Sequence, residues 1–361
     1  MNDVSPSEQL SAAEAERLAM AAEMRKMATE RQENADLLAG LEQMLTARLG
    51  TTVRHLRSET VMPPRTKLTP YLQKQRTFTR HWLDIAGPVK GSNWPWARGT
   101  RLVVFVKSGL NVVCSPLDTI LNETNRPGFR APYFFGSYEA SGLRVGVWEF
   151  VEGARVRFED LSLETQIRLV KAVAAVNALP VKDGIPVKTK WASTPLAWYQ
   201  GAFRKMTVDD QERWRPVLEA TAQLLDDDRK ISDRLLSFGE DRLTHNDINP
   251  NNVFTPEGRD VVIFDWEAAM LSVPGADLRF LTRMEARDVL LSCYVQQMAE
   301  FAIKLDTEAV RSAYELVEAF RLIHKGWANR NMGAVRRGLA TAAYHVGHGF
   351  AITTDLNWRG V

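Results

Sequence analysis

The sequence predicts an α+β fold: a helical extension, a small β-rich lobe, and a larger helical lobe with one embedded hairpin. Three observations predict it. Residues 7–49 are rich in Ala, Glu, Met, Leu and Arg, with no Pro and a single Gly, Gly40, a composition that favours helix. Two β-rich runs, Leu102–Val106 and Val145–Val151, then bracket a helix start at Ser115-Pro116-Leu117-Asp118, which has a cap residue, a first-turn proline and a first-turn acid. Beyond Gly153 the segments 163–179, 195–225, 277–305 and 307–328 carry apolar residues at helical spacing. The exception is 243–264, where Val253-Phe254 and Val261–Phe264 flank the turn Thr-Pro-Glu-Gly-Arg-Asp. The expected division is an extension over 1–50, a small lobe over 51–152 and a large lobe over 153–361.

In the extension, Met20, Met24 and Met27, then Leu38, Leu41 and Leu45, follow 3-4 spacing, but Arg31 and Asn34 interrupt the seam. That pattern fits one or two amphipathic helices packed on their own protein better than a long coiled coil. Pairing of two copies through these helices, a homodimer, is the alternative reading. Residues 51–100, with Pro, Trp and Gly scattered through them, give no clear element.

Composition narrows the function classes. The 361 residues can bury a substantial core, and a formal net charge of +2 gives no electrostatic case for a nucleic-acid partner. Cys114 and Cys293 are the whole cysteine content, which disfavours a disulfide framework and favours a reducing compartment. The opening MNDVSPSEQL lacks the basic and apolar regions of a signal peptide, and no apolar run approaches the ~18 residues of a membrane span. A cytoplasmic protein with no membrane partner is expected.

The chemistry concentrates in Leu-Thr-His-Asn-Asp-Ile-Asn-Pro-Asn-Asn-Val-Phe, residues 243–254. Asn and Asp are common turn formers, and Asn-Pro-Asn-Asn alone would be an ordinary loop. Here the loop feeds a hairpin, and the hairpin ends in Asp265. Antiparallel pairing sets Asn252, before the first strand, beside Asp265, after the second. An amide oxygen and a carboxylate at one hairpin mouth suit Mg²⁺, which takes one or two carboxylates and completes its shell with water and phosphate. Asp247, five residues before Asn252, can reach the same place and serve as a base.

His245-x-Asp247-x-x-x-x-Asn252, followed by Ile263-Phe264-Asp265-Trp266-Glu267, resembles the aminoglycoside phosphotransferase and choline kinase superfamily, which has the two-lobed protein-kinase-like fold. The resemblance spans roughly residues 80–350. It implies that Asp247 is the catalytic aspartate, that Asn252 and Asp265 hold Mg²⁺, and that His245 braces the loop. Asp277-Leu278 matches the family's Asp-Leu after the metal aspartate.

The small lobe fits the same pattern. Lys107, ending Val104-Phe105-Val106, looks like the strand lysine that holds the α- and β-phosphates of ATP. Asp118 and Glu123 are rival partners for it. Trp148–Val151 falls at the family's hinge, which implies that the backbone of Glu149 and Val151 meets adenine. No G-x-G-x-x-G occurs; Gly87–Asn93, with Lys90 and Ser92, is the best candidate for the phosphate loop. His345-x-x-His348 lacks a third metal ligand nearby and reads as structural, and the basic stretch from Arg321 to Arg337 reads as a solvated face. The resemblance therefore implies transfer of the γ-phosphoryl group of ATP to a hydroxyl of a small molecule: an aminoglycoside, a sugar or an amino alcohol such as choline. The irregular phosphate loop keeps a second reading open, a pseudokinase or nucleotide-binding regulator. A kinase-fold enzyme acting on a protein partner is a third.

Overall fold

The computed structural model describes residues 12–61, 76–87, 101–110, 116–122, 128–153, 157–180, 196–226, 233–235, 237–239, 241–256 and 260–346, with the single residues 89, 112 and 114. The chain divides into two compact units, one of residues 1–114 with 133–151, the other of 115–132 with 152–361.

The first unit joins helix α1 (Ala12–Leu49) to strands β1 (Val53–Thr60), β2 (Arg76–Ile85), β3 (Arg101–Gly109), β5 (Phe134–Ala140) and β6 (Leu143–Glu149). These strands form an antiparallel sheet in the order β1-β2-β3-β6-β5. Alternation puts Leu102, Val104 and Val106 on one face, with Leu83 and Ile85 of β2 and Val145 and Val147 of β6. Helix α1 covers that face with Leu41, Leu45 and Leu49, four residues apart and fully buried. The glycine within α1 has a packing reason, because a Cβ on Gly40 would lie 2.5 Å from the Tyr138 ring. Tyr138 also donates its hydroxyl proton to the Leu37 carbonyl at 2.7 Å. Met20, Met24 and Met27, on the preceding turns of α1, are exposed. The β5–β6 turn is the residue pair Ser141 and Gly142, both at positive φ (49° and 74°), as a two-residue hairpin with the right twist requires.

Two strands here were not apparent from the sequence. β1 is an edge strand, exposed along most of its length, so burial does not imprint an alternating pattern on it. In β2 the core face carries His81 between Thr79 and Leu83, and a polar residue at a buried position hides the period.

The second unit opens with α2 (Pro116–Asn122), the helix predicted from its cap and proline, and β4 (Phe129–Arg130). It continues through α3 (Leu163–Asn177), α4 (Leu196–Arg204), α5 (Val208–Leu225), β7 (Arg242–Thr244), β8 (Val253–Phe254), β9 (Val261–Ile263) and β10 (Met270–Ser272). A 3-10 helix (Ala276–Arg283) leads to α6 (Arg287–Glu300), α7 (Thr307–Ala328) and α8 (Met332–Val346). The core of α3, Leu169 to Val176, packs against Val261, Ile263, Trp266, Leu278 and Tyr294, which fixes the hairpin and the 3-10 helix to one support.

Three helical expectations shift. The 195–225 segment is two helices, because Thr207 caps a new one by accepting from the Asp210 N–H at 3.2 Å. The segment from Asp277 starts as 3-10 helix, and α6 begins only at Arg287. Helix α8 was not predicted. It packs closely on α7 because a Cβ on Gly338 would stand 2.5 Å from the Ala319 carbonyl oxygen. Among the described residues no helix is long and apolar enough to cross a membrane.

Candidate active site

The predicted hairpin forms. Val253 pairs with Ile263 and Phe254 with Val262, antiparallel, and β9 also pairs with β4 in parallel. One step nearer the mouth, the Phe264 N–H donates to the Asn252 carbonyl at 2.8 Å. Asn252 and Asp265 therefore sit at adjacent rungs of the hairpin's open end, as the spacing predicts.

The loop leading in is held by hydrogen bonds from all sides. His245 is fully buried, and its Nε2 lies 2.6 Å from the Phe264 carbonyl oxygen while its Nδ1 lies 3.2 Å from the Asp247 N–H. A carbonyl only accepts and an amide N–H only donates, so Nε2 carries the proton and Nδ1 accepts. Burial pushes the His245 pKa below its ordinary value, against the smaller opposing pull of Asp277, the Phe264 carbonyl, Asp247 and Asp265. The ring is a neutral strut between loop and hairpin.

Asp277 supplies the second anchor. Its Oδ2 accepts from the His245 N–H at 2.8 Å, and its Oδ1 from the Asn246 N–H at 2.7 Å. Asn177 of α3 donates to Asp277 Oδ2 at 3.2 Å and to the Leu243 carbonyl at 2.7 Å, and Tyr294 of α6 donates to Asn177 Oδ1 at 2.8 Å. A buried carboxylate needs such donors, and here they come from the loop it organises. Asn246 takes φ 61° and Asp265 φ 61°, the left-handed region that Asn and Asp tolerate best among residues with a side chain. These two reversals aim the loop and the end of the hairpin.

Asp247 is the half-exposed centre of the arrangement. Asn252 donates from Nδ2 to its main-chain carbonyl at 3.0 Å and to its Oδ2 at 2.9 Å. Arg279 donates from Nη2 to its Oδ1 at 3.1 Å and from Nη1 to the Asn246 carbonyl at 2.7 Å. Both acceptors facing the Asn252 amide accept only, so the amide presents NH₂ to them. Its Oδ1 points elsewhere, accepting from no described residue. That orientation, beside the exposed carboxylate of Asp265, is a donor set of two hard oxygens that fits Mg²⁺.

The matching family model is that of the phosphotransferase enzyme family, over residues 124–312. The chain belongs to the phosphotransferase enzyme family. Asp247, Asn252, Asp265, Asp277 and Arg279 all lie within the matched residues. No curated protein sequence matches the chain. Among solved structures, spectinomycin phosphotransferase APH(9)-Ia, crystallised with ADP and spectinomycin, is 13% identical with a TM-score of 0.50, covering 87% of this chain and 98% of its own. A thermostable mutant of aminoglycoside phosphotransferase APH(4)-Ia, in a ternary complex with ADP and hygromycin B, is 14% identical with a TM-score of 0.49, covering 86% and 98%. The macrolide 2'-phosphotransferase MphH from Brachybacterium faecium is 14% identical with a TM-score of 0.42, covering 84% and 97%. At these identities the first likeness bears on fold alone, and this phosphotransferase has the α+β, protein-kinase-like fold of that structure.

The remaining predicted residues are distributed as follows. Lys107 is buried in β3 opposite Gly146 of β6, its Nζ 5.7 Å from the Trp148 ring centroid. Glu149 closes β6, where its N–H donates to the Tyr133 carbonyl at 2.7 Å and its Oε2 accepts from the Tyr133 N–H at 3.2 Å. Val151 follows, half-buried. Asp118 is buried on α2, in the unit that holds the 243–254 loop. Lys90, Ser92 and Glu123 lie outside the described residues. His345 is buried with its Nε2 3.1 Å from Glu315 Oε2, while His348 lies outside the described residues. Arg321, read as part of a solvated face, instead engages the buried carboxylate of Glu318 through both Nε and Nη2. Arg279 was missed by the sequence reading. Its only sequence signal is its place two residues after Asp277, on a 3-10 helix whose approach to the loop is a tertiary fact.

Proposed function

We propose that this phosphotransferase moves the γ-phosphoryl group of ATP to a hydroxyl of a small molecule, with Asp247 as the catalytic base. The supporting observation is the double hold on Asp247. Its two carboxylate oxygens are fixed by Asn252 and Arg279, yet the side chain remains half-exposed (48%) where an acceptor can reach it. Transfer needs the acceptor oxygen held in line with the γ-phosphorus and relieved of its proton late in the reaction. A fixed carboxylate with a free lone pair on each oxygen can do both.

In this reading Asn252 and Asp265 hold Mg²⁺, which neutralises charge on the transferring phosphates when bound. Lys107 neutralises the α- and β-phosphates. The backbone of Glu149 and Val151 meets adenine, with the Glu149 N–H engaged by the Tyr133 carbonyl. Lys90 and Ser92 complete the phosphate contacts. His245 takes no proton in this scheme, since both ring nitrogens are engaged.

The acceptor classes to test first are those named for the structural neighbours, spectinomycin and hygromycin B, together with sugars and amino alcohols. The deciding variant is Asp247→Asn, which keeps the shape but cannot accept a proton. Turnover should fall by ~10²–10⁴-fold while ATP affinity, read by calorimetry, stays within a few-fold. Turnover near the wild-type rate removes Asp247 from the chemistry. ATP binding without turnover on any acceptor favours the regulator instead.

A further inference from the structure

Arg279 is the one cation in contact with the Asp247 carboxylate among the described residues. It stands on the 3-10 helix at 276–283, whose Asp277 already grips the same loop through the His245 and Asn246 N–H groups. The guanidinium spans two successive residues, with Nη1 on the Asn246 carbonyl at 2.7 Å and Nη2 on Asp247 Oδ1 at 3.1 Å. Asn246 makes that span possible, because its positive φ turns the carbonyl toward the arginine side. The Arg279 side chain is 16% exposed, against 48% for Asp247, so the pair is anchored at its arginine end and open at its carboxylate end.

The terminal torsion of an aspartate is broad and nearly two-fold. A half-exposed carboxylate on a loop would rotate between orientations unless both oxygens are held. Asn252 holds Oδ2 and Arg279 holds Oδ1, so together they remove that rotation. We propose that Arg279 is a positioning residue for phosphoryl transfer, fixing the plane of the Asp247 carboxylate by its hold on Oδ1 while Asn252 holds Oδ2. The inference rests on Asp247 being the base and deepens that reading. A partly exposed ion pair contributes little to stability, so the loss on removing it should appear mainly in the rate. Lysine is a poor substitute, since one ammonium cannot present the planar fork that reaches the Asn246 carbonyl and Asp247 Oδ1 together.

The test uses the full chain with Mg²⁺ and ATP, water as acceptor, and release of inorganic phosphate as the rate. It compares wild type with Arg279→Ala, Arg279→Lys, Asp247→Asn and the Arg279→Ala/Asp247→Asn double variant. Asp247 is also followed directly, by mass-spectrometric mapping of carbodiimide labelling, which needs no turnover. Arg279→Ala should lower kcat about ten- to a hundredfold with the KM for ATP within about twofold, because positioning acts on the reacting geometry and not on nucleotide affinity. Guanidinium chloride at sub-denaturing concentration should restore part of that rate. Labelling of Asp247 should rise as its Oδ1 is uncovered, and the double variant should be no slower than Asp247→Asn alone. If Arg279→Ala does not fold, Arg279→Lys carries the same comparisons with a smaller loss. A wild-type kcat in Arg279→Ala beside a slow Asp247→Asn overturns the positioning role alone. Losses that multiply in the double variant overturn it too, because Arg279 then acts elsewhere. A fully active Asp247→Asn overturns both this inference and the assignment of the base.

Discussion

Asn252 holds Asp247 twice, its Nδ2 reaching the main-chain oxygen at 3.0 Å and Oδ2 at 2.9 Å. The side chain read from the sequence as a metal ligand is thus also the clasp of Asp247, the proposed base. Through it, the proposed metal-binding mouth of the hairpin and the proposed proton acceptor share one amide.

That relationship sharpens the expectation for Asn252 variants. As a metal ligand only, Asn252 could be replaced by water and its loss would be mild. As a clasp it cannot, since water does not bridge both oxygens in fixed geometry. Asn252→Asp is the more informative change: it strengthens the charge available to Mg²⁺ but sets an acceptor-only group against the Asp247 carboxylate, losing both hydrogen bonds. Turnover should fall further in Asn252→Asp than in Asn252→Ala, with melting temperature lower in the aspartate variant. Steady-state kinetics beside calorimetric melting decide it, and an aspartate variant faster than the alanine variant sinks the clasp.

Asp277 should matter mainly for stability. Asp277→Ala strands the buried N–H of His245 and a donor on Asn177, and also frees the Asn246 N–H. An orphaned buried donor costs about 1–3 kcal/mol, so a loss of about 3 kcal/mol or more is expected in urea denaturation. Amide exchange at His245 and Asn246 should accelerate together. Exchange at these two sites that stays as slow as in wild type would show that the loop does not depend on the carboxylate.

In the first unit, His81 carries a pH dependence. Burial, and secondarily the neighbouring His55 at 5.4 Å between ring centroids, lowers its pKa from 6.5 to about 4. The unfolded chain then binds a proton that the folded one refuses between those values. Stability is therefore full above about pH 6.5 and declines as pH falls toward 4, by up to about 3 kcal/mol. His81→Phe should flatten the melting-temperature profile between pH 7 and 4.5. An unchanged slope assigns the acid sensitivity to other groups.

Much of this site was legible because it depends on local chain geometry. His245, Asp247, Asn252 and Asp265 lie on one loop and one short hairpin, so spacing and the antiparallel rule place them. In the other unit, the strand that carries Lys107 was legible by composition. What spacing could not supply was tertiary. Arg279 reaches Asp247 only because Asp277 and Asn177 draw the 3-10 helix onto the loop. Strands β1 and β2 were missed since an exposed edge and a buried histidine each blur the two-residue period. Leu41 and Leu45 showed their helical face plainly, but not that the same helix would leave Met20, Met24 and Met27 exposed.

Asp265 gives the sharpest test of the proposed metal site. It sits at φ 61° and ψ 64° with its side chain exposed, one residue past the rung that Phe264 makes with Asn252. Alanine at this position loses the carboxylate and also takes on the left-handed backbone cost of a residue with no compensating polar group, about 1–2 kcal/mol. Asparagine tolerates that conformation, so Asp265→Asn removes the charge while leaving the turn intact. Mg²⁺ binds chiefly through anionic oxygen and phosphate, so the Mg²⁺-dependent gain in ATP affinity should shrink by about tenfold or more in Asp265→Asn, a loss of about 1.4 kcal/mol or more. ATP binding without Mg²⁺ should stay the same or tighten, since a negative group facing the phosphates has been neutralised. Calorimetric titration of ATP with and without Mg²⁺ on both proteins, checked for equal melting temperature, measures this directly. If the asparagine variant keeps the full Mg²⁺ gain, Asp265 is a turn residue and the metal is held by other oxygens.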